Sequence, residues 1–460
     1  RELRLIRREG VAAWASGLLL LLAVLAAANG RALLAQHERS QQAALADAAT
    51  LRTALAQQAG RGVAAAASPG EVGYALLVEP AVLPPAPLGA LAIGQGDLLA
   101  NIYTLNARGA HQFVMQPALD NSLRLALGNF DLAFVVVWLL PLIVIALTFN
   151  VVCGERERGV LALAVACGAA LQRFVLGKIA ARAVVIQAAV WIALLAAGFV
   201  AARPLQNFDG IIAWFLWSAI AALYAAFWTA LGLWVNASER GSDINAALLV
   251  GCWLLTVIVA PTVTNLAATT LFPAPSRVEL TTALREATES ADRLAAAQRD
   301  RYFFDHPELQ GKDSDKALFY RTVAAAEANI EAAMQPLLAQ FAQQAQRQRR
   351  LVAGLQYLSP GTLAYETLTA LSGSNGVRHA HFRAQVFEFH RAWVAWFRAR
   401  LDAGQRLTPA DYDRLPRFSF SDLPLAAQLR QLVLPAVVLA ALTVALFWSA
   451  LRRLRRLTVV

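Results

Sequence analysis

The chain has 460 residues, of which 58% are hydrophobic and 16% are charged, and its formal net charge is +10. This composition excludes an ordinary soluble domain and indicates an integral membrane protein with a soluble part. The basic balance does not favour a nucleic-acid-binding protein, because the arginines gather at the ends of apolar stretches, where they meet anionic lipid.

Six stretches have the roughly 20 apolar residues that a membrane-spanning helix needs. They are Val11 to Asn29, Leu132 to Asn150, Ile179 to Ala202, Ile211 to Val235, Ala246 to Thr270 and Leu432 to Leu451. We therefore predict an all-α membrane protein with six transmembrane helices and a mainly α-helical extracytoplasmic domain built from two insertions.

The predicted domains follow from these spans. Residues 1–29 form an inner amphipathic start and the first span, and residues 30–130 form the first extracytoplasmic insertion. Residues 131–275 hold spans two to five with a cytoplasmic coupling helix at 153–175. Residues 276–428 form the second, helical insertion, and residues 429–460 form the sixth span and a basic tail. The basic start, apolar run and Ala26–Ala28 also fit a cleaved signal peptide, but we interpret the segment as a retained anchor.

Three basic clusters determine the orientation. They are Arg1, Arg4, Arg7 and Arg8 before the first span, Arg156, Arg158, Arg173 and Lys178 in the second loop, and Arg452, Arg453, Arg455 and Arg456 after the last span. With an even number of spans they share one face, which the positive-inside rule makes cytoplasmic. We expect a multi-pass protein of the bacterial inner membrane with both termini cytoplasmic and a large periplasmic domain.

The first insertion should begin as a helical continuation of the first span, from Gly30 to Arg61. Prolines then break the helix pattern, and Tyr74 to Val78 predicts a short strand. The turn at Gly94–Asp97 has no following lysine-bearing helix, so a phosphate-binding loop is disfavoured. The cysteines Cys153, Cys167 and Cys252 lie in or beside spans, so helix packing must hold the outer insertions together.

The stretch from Asn150 to Lys178 is too short for a domain and too apolar for a solvated loop. It contains the charged run Glu155–Arg158, closed by Gly159, and ends in Gly177–Lys178 before the third span. We predict a short helix at the membrane surface that passes force from a soluble partner into the membrane helices.

The fifth span carries Pro261 and an unusually polar outer end, which predicts a kinked or re-entrant outer end near a subunit interface, with simple fraying as the alternative. In the second insertion, a long helix from Asp315 to Gln356 should be interrupted at Pro336. Ser359 before Pro360 is a plausible N-cap of the next helix.

The run from Arg378 to Leu401 is helical and aromatic, and its aromatic residues are expected in a core rather than a ligand groove. His379 and His381 face nearly opposite sides of the helix, and His390 lies about 16 Å from His379 along it, so capping or interface packing is favoured over metal binding.

Motifs for catalysis are lacking in the sequence. No GxxxxGK[ST] run occurs, so the chain should not hydrolyse ATP, and no HExxH or CxxC pattern is present. No acidic residue lies deep in a predicted span, although cation-coupled carriers normally need one. The energy source should therefore lie outside the chain.

These features together resemble the type-2 ABC transporter permeases, in the variant with two large extracytoplasmic insertions and an ectodomain of unknown function. The matching residues are the ERERG run at 155–159, the Gly177–Lys178 pair and four longer stretches. These stretches are Pro84 to Leu99, Gly128 to Asn150, Tyr357 to Asn375 and His381 to Val394. Asn121–Ser122 departs from the Asn-Pro that the family often has before the second span.

The resemblance implies a cytoplasmic ABC ATPase, which binds ATP and Mg, and a second permease, identical or homologous. No cofactor is implied in this chain. The resemblance assigns ATPase coupling to Glu155, Arg156, Glu157, Arg158, Gly159, Leu163, Arg173, Gly177 and Lys178. It assigns an ectodomain motif to Ser359, Pro360, Phe382, His390 and Trp393.

Three functions remain open at this point. The first is substrate translocation, with export as the usual direction of such permeases. The second is mechanotransmission, in which the ATPase moves the ectodomain to act on an extracytoplasmic partner protein and no solute crosses. The third is a ligand-sensing receptor without an ATPase, which is disfavoured because the tail from Arg452 to Val460 is too short for a signalling domain.

Overall fold

A computed structural model describes residues 10–94, 99–109, 130–160, 163, 166, 171–201, 208–238, 240–273, 277–305, 307 and 313–455. Within these residues, six helices are long and apolar enough to span a membrane, and the fold is that of an all-α membrane protein, as predicted. The six spans are Val11–Gly60, Leu132–Glu157, Arg173–Ala201, Gly210–Asn236, Ser242–Leu271 and Arg430–Leu454. The end of this bundle that carries residues 151–178 is called the basic end, and the opposite end, which carries the soluble helices, is called the domain end.

The first span belongs to helix α1 (Val11–Gly60), which runs unbroken for 50 residues. At 1.5 Å per residue this helix is about 75 Å long, more than twice the thickness of a bilayer's apolar core. The predicted continuation beyond Gly30 is therefore confirmed. Gly30 itself lies so close to the carbonyl oxygen of Ala90 that a Cβ atom would stand 2.0 Å from it.

The second span combines α4 (Leu132–Phe134), a π-helical stretch (Val135–Leu139), α5 (Leu140–Thr148) and the short α6 (Cys153–Glu157). The third and fourth spans lie in α7 (Leu171–Ala201) and α8 (Phe208–Asn236).

The fifth span repeats the pattern of the second, with α9 (Ser242–Trp253), a π-helical stretch (Leu254–Val259) and α10 (Ala260–Leu271). In both spans a proline, Pro141 or Pro261, lies in the first turn after the π stretch. We expected a kinked or re-entrant end after Pro261, with fraying as the alternative; the re-entrant and frayed forms are wrong, because the helix continues to Leu271. Pro261 has no N–H to donate, and a π-helical stretch precedes it where we expected the helix to break.

The soluble helices at the domain end come from both insertions. The first insertion adds α2 (Ala64–Ala67), α3 (Pro69–Glu71), a π-helical stretch (Val72–Leu76), β1 (Glu79–Val82) and β2 (Ile102–Leu105). The second adds α11 (Arg277–Asp305), α12 (Asp313–Leu355), a 3₁₀ turn (Gln356–Leu358), α13 (Pro360–Leu371), α14 (Gly376–Asp402) and α15 (Pro409–Asp413). The sixth span lies in α16 (Leu425–Leu454).

The predicted strand at Tyr74–Val78 is wrong, because most of that segment is π-helical and the strand begins at Glu79. β1 and β2 pair antiparallel, with Glu79 opposite Leu105 and Val82 opposite Ile102. The predicted interruption at Pro336 is also wrong, since α12 passes through that proline as one helix of 43 residues.

The two insertions share a core, which confirms that the first packs against the second. Val72, Tyr74 and Leu77 of the first lie in one buried cluster with Trp393 and Phe397 of the second. The Tyr412 hydroxyl donates a hydrogen bond of 2.7 Å to the carbonyl of Ala66, in the other insertion. We call this shared body the helical domain.

The segment between α12 and α14 descends into the bundle of spans and returns. The amide of Gln348, near the end of α12, donates to the carbonyl of Phe272 at the domain end of the fifth span, over 2.6 Å. The hydroxyl of Ser359, at the start of α13, donates to the carbonyl of Thr256, near the middle of that span. At the other end of α13, Trp217 donates to the Ser372 hydroxyl, and Asn375 donates to Gln431 beside the sixth span. α13 is therefore a short re-entrant helix.

Candidate functional site

The loop after the second span is a compact, bonded structure at the basic end. α6 covers only Cys153–Glu157, and its last turn closes at Arg158. Gly159 follows with a φ of 70°, a left-handed conformation that a residue without Cβ adopts at little cost. The glycine of the ERERG run therefore ends the helix and lets the chain turn.

The two glutamates of this run bind two different spans. Glu155 forms an ion pair with Lys178 in the first turns of the third span, where both side chains are largely buried. Glu157 accepts hydrogen bonds from the backbone N–H (2.7 Å) and the hydroxyl (3.0 Å) of Ser242, at the first residue of the fifth span. A carboxylate at that position also meets the positive end of the helix dipole.

Asn236, the last residue of the fourth span, joins the same loop from a third side. Its amide nitrogen donates to the carbonyls of Thr148 (2.9 Å) and Gly232 (2.8 Å), and its amide oxygen accepts from the N–H of Val152 (3.3 Å). The side chain is 2% exposed, so these bonds replace water that it cannot reach. Sequence reasoning did not identify Asn236, because a bridging amide has no sequence pattern of its own.

Arg182 ties the second span to the third from within the bundle. Its guanidinium donates to the carbonyl of Leu147 (2.7 Å) and the side-chain oxygen of Asn150 (3.2 Å). The bonds of Glu155, Glu157, Asn236 and Arg182 connect residues 147–157 to the third, fourth and fifth spans. We call these bonds the clamp.

The remaining predicted coupling residues lie outside the clamp. The side chains of Arg156, Arg158 and Arg173 are exposed, and that of Leu163 is 65% exposed. A Cβ added at Gly177 would meet no atom within 4 Å. The loop thus presents positive charge and an apolar side chain outward. The central part of the predicted helix 153–175, at residues 161–162, 164–165 and 167–170, lies outside the described residues.

A second bonded layer lies near the middle of the spans, where Pro261 and Pro141 leave carbonyls without their usual donors. In the π stretch of the fifth span, the N–H of Ala260 bonds to the carbonyl of Leu255. The next bond of that pattern would run from residue 261 to Thr256, and proline cannot donate it. The Ser359 hydroxyl donates to this carbonyl instead, at 2.5 Å.

The second span has the same arrangement with other donors. Pro141 cannot bond the carbonyl of Val137 in an α-helical pattern, and the Tyr224 hydroxyl donates to that oxygen at 3.2 Å. The indole of Trp253 donates to the carbonyl of Trp138 at 3.1 Å. The Tyr224 hydroxyl and the Ser359 hydroxyl therefore satisfy carbonyls that the prolines expose, as membrane interiors require. Trp253 bonds a third carbonyl in the same region. We call these bonds the midspan layer.

The five residues of the predicted ectodomain motif are not brought together. Ser359 and Pro360 form the buried N-terminus of α13 among the spans rather than part of the soluble body. Phe382 lies in a buried aromatic cluster with Tyr103 of the first insertion. Trp393 lies in the shared core with Phe397, so the prediction of core packing for the aromatic run is confirmed.

The histidines of α14 bond to the backbone of the first insertion. A ring nitrogen of His379 lies 3.0 Å from the carbonyl oxygen of Ala100, and one of His390 lies 2.7 Å from that of Arg108. Burial lowers the pKa of both histidines, so they are neutral at physiological pH. Among the residues that the structure describes, no group of three or more His, Cys, Asp or Glu could hold a metal ion.

A family model described as a domain of unknown function, DUF3526, matches residues 277–421. The match begins with α11 and ends in the strand-free segment after α15, so it covers most of the second insertion, including α13. No curated protein matches the chain.

Proposed function

We propose that this chain is the membrane subunit of an ATP-driven ABC transporter, whose separate cytoplasmic ATPase binds ATP and Mg. The basic end would face the cytoplasm of a bacterial inner membrane and the helical domain the periplasm, in accordance with the positive-inside rule. A second permease, identical or homologous, would complete the complex, and export would be the direction of transport.

The observation that carries this proposal is the clamp. A loop without bonds to the spans could not drive a transporter, because its own movement would not displace the membrane helices. Here the side chains of Glu155 and Glu157 hold the first turns of the third and fifth spans. A force applied to the exposed arginines of the same loop would therefore displace several spans together.

Purification of the tagged chain from its native membranes tests the proposal. We expect an ABC ATPase, recognised by its GxxxxGK[ST] loop, to co-purify, and lipid-reconstituted complex to hydrolyse ATP faster than the free ATPase. The double variant Glu155→Lys, Glu157→Lys should insert normally but lose this stimulation. Its matched control is Glu286→Lys, Asp300→Lys, which makes the same charge change at exposed residues of α11.

Two results would refute the proposal. One is the absence of any ABC ATPase from the purified complex. The other is full stimulation in the double variant of the clamp, since the carboxylates would then have no part in coupling.

Mechanotransmission is a second candidate, which α1 favours. This helix carries the first span and continues without a break to Gly60, where Pro409 of α15 packs against it. Movement of the first span would reach the helical domain directly, where an extracytoplasmic partner protein could respond. Transport of a solute into or out of sealed vesicles by the reconstituted complex would exclude this function as the sole one.

A further inference from the structure

The re-entrant helix α13 carries a hydroxyl and a carboxyl, those of Thr362 and Glu366, that make no hydrogen bond to a described residue. Ala364 and Leu368 face the main core of the spans. Thr362 and Glu366 stand four residues apart on the opposite face, where side chains at this spacing are neighbours about 6 Å apart.

Neither group makes a hydrogen bond or an ion pair with a described residue. The Thr362 hydroxyl is buried and makes no hydrogen bond. The Glu366 carboxyl is only partly exposed, and no described residue donates a hydrogen bond to it or forms an ion pair with it. By contrast, Thr367 and Thr369 of the same helix bond to the carbonyls of Leu363 and Tyr365.

Asp131, at the start of the second span, is a buried carboxylate whose hydrogen bonds stabilise the local backbone. Its two oxygens accept hydrogen bonds from the N–H groups of Phe134 (2.7 Å), Ile93 (2.8 Å) and Gly94 (3.3 Å). These bonds cap the span and fix the adjoining loop. Glu366 accepts no such bonds, so its carboxyl needs another partner to be stable among membrane helices.

A carboxyl group at membrane depth is costly, and those that persist face a cavity or a positively charged partner. A proton would cancel the charge of Glu366, yet it would leave the Thr362 hydroxyl without a partner. A ligand with a positively charged nitrogen and several N–H donors would bond to both oxygens at once. Because α13 packs among apolar membrane helices through Ala364 and Leu368, the rest of the ligand would be apolar too.

We propose that Thr362 and Glu366 form an intramembrane binding site for the ammonium group of a cationic amphiphile, which is the class of substrate that this protein moves. The binding site stands on the contacts of α13 alone, whereas its use in transport rests on the proposed function.

A hydrophobic carbodiimide tests the site directly, because dicyclohexylcarbodiimide modifies carboxyl groups that lie in apolar surroundings. The chain would be placed in nanodiscs of phosphatidylcholine, which carry no net charge, and the modified peptide measured by mass spectrometry. We expect labelling at Glu366 and a loss of that labelling in the presence of dodecylammonium. Dodecanol, which has the same chain length but no charge, should leave the labelling unchanged.

Three variants sharpen the test. Glu366→Gln should remove the label, and its matched control Glu286→Gln, at an exposed site of α11, should keep both the label and its protection by amine. Thr362→Val keeps the shape of the side chain and removes the hydroxyl. It should keep the label but raise the amine concentration for half-protection roughly two- to tenfold, the effect of one hydrogen bond.

Absence of labelling at Glu366 would overturn the proposal, because the carboxyl would then not lie open in apolar surroundings. Labelling that dodecylammonium does not reduce would overturn it as well, and would leave only proton binding. Neither measurement uses an ATPase. A protected Glu366 without a co-purifying ATPase would therefore refute the proposed function and keep the site, and the reverse result would refute the site alone.

Discussion

Ser359 makes two bonds at the deepest point of the re-entrant segment, and we predict that its removal is costly. Its oxygen accepts from the N–H of Thr362 (3.0 Å) as the N-cap of α13, and its hydroxyl donates to the carbonyl of Thr256. Ser359→Ala removes both bonds. An N-cap contributes about 1 kcal/mol, and an orphaned buried carbonyl costs about 1–3 kcal/mol.

The expected loss of unfolding free energy is therefore about 2–4 kcal/mol. Ser68 provides a matched control within the chain, because it also precedes a proline and caps a helix, through a 3.3 Å bond to the N–H of Glu71. No second bond of the Ser68 hydroxyl is present in the described part of the chain. Ser68→Ala should thus cost only about 1 kcal/mol.

Equilibrium unfolding in mixed micelles of mild detergent and sodium dodecyl sulfate would measure both losses. Hydrogen exchange should localise the effect of Ser359→Ala to α13, whose first N–H groups would lose protection. The reasoning would be refuted if Ser359→Ala cost no more than Ser68→Ala, because α13 would then not be held by the fifth span.

Three further predictions follow from individual contacts. Lys178→Met leaves the largely buried Glu155 without its counter-charge and should lower the unfolding free energy by about 2–4 kcal/mol, whereas the double variant with Glu155→Gln should recover part of this loss in the same unfolding assay. Gly73→Val should lower the Tm of the purified protein, because a Cβ at that position would lie 2.6 Å from the ring of Phe397. Burial alone would raise the pKa of Asp422, but hydrogen bonds and charge from Arg378 bring this pKa below its ordinary value. The stability that the ionised Asp422 adds is therefore present above about pH 4 and is lost as the pH falls further. Asp422→Asn should flatten this part of a stability–pH profile.

The six spans could be predicted from the sequence because membrane insertion depends on the length and hydrophobicity of a single stretch. Every predicted span falls within an observed span, apart from residue 202, which lies outside the described residues. The aromatic core of α14 was also predictable, since Phe382 and Trp393 recur on one face of a long helix. The partners of Glu155 and Glu157 were not, because they depend on how distant spans pack.

We expected an irregular or interrupted helix at Pro261 and at Pro336, and the helix continues past both residues. At Pro261 and Pro141 the helix widens into a π stretch, and a side chain from another segment satisfies the exposed carbonyl. At Pro336 the helix α12 continues. At Pro261 and Pro141 the donor comes from a distant segment, so the outcome there depends on tertiary packing.

The helix after Ser359 and its N-cap were predicted correctly, but its position among the spans is the largest feature that sequence reasoning missed. α13 has 12 residues, too few to span a bilayer, so a search for membrane-length stretches passes over it. Its single charged residue, Glu366, then escaped a survey that was limited to the predicted spans. A short apolar helix that follows a Ser-Pro cap and contains one acidic residue is the signal that could have identified it.

The fifth span connects the clamp to the re-entrant helix, since Glu157 binds its first residue and Ser359 binds its middle. If Pro261 is the reason that Thr256 accepts from Ser359, then Pro261→Ala should supply a competing backbone donor. The cost of Ser359→Ala should fall in that background to about 1 kcal/mol, the share of the N-cap alone. A double-mutant cycle in the unfolding assay measures this difference as a coupling free energy. Additive losses would mean that the proline and the serine act independently, and that the midspan layer does not tie α13 to the fifth span.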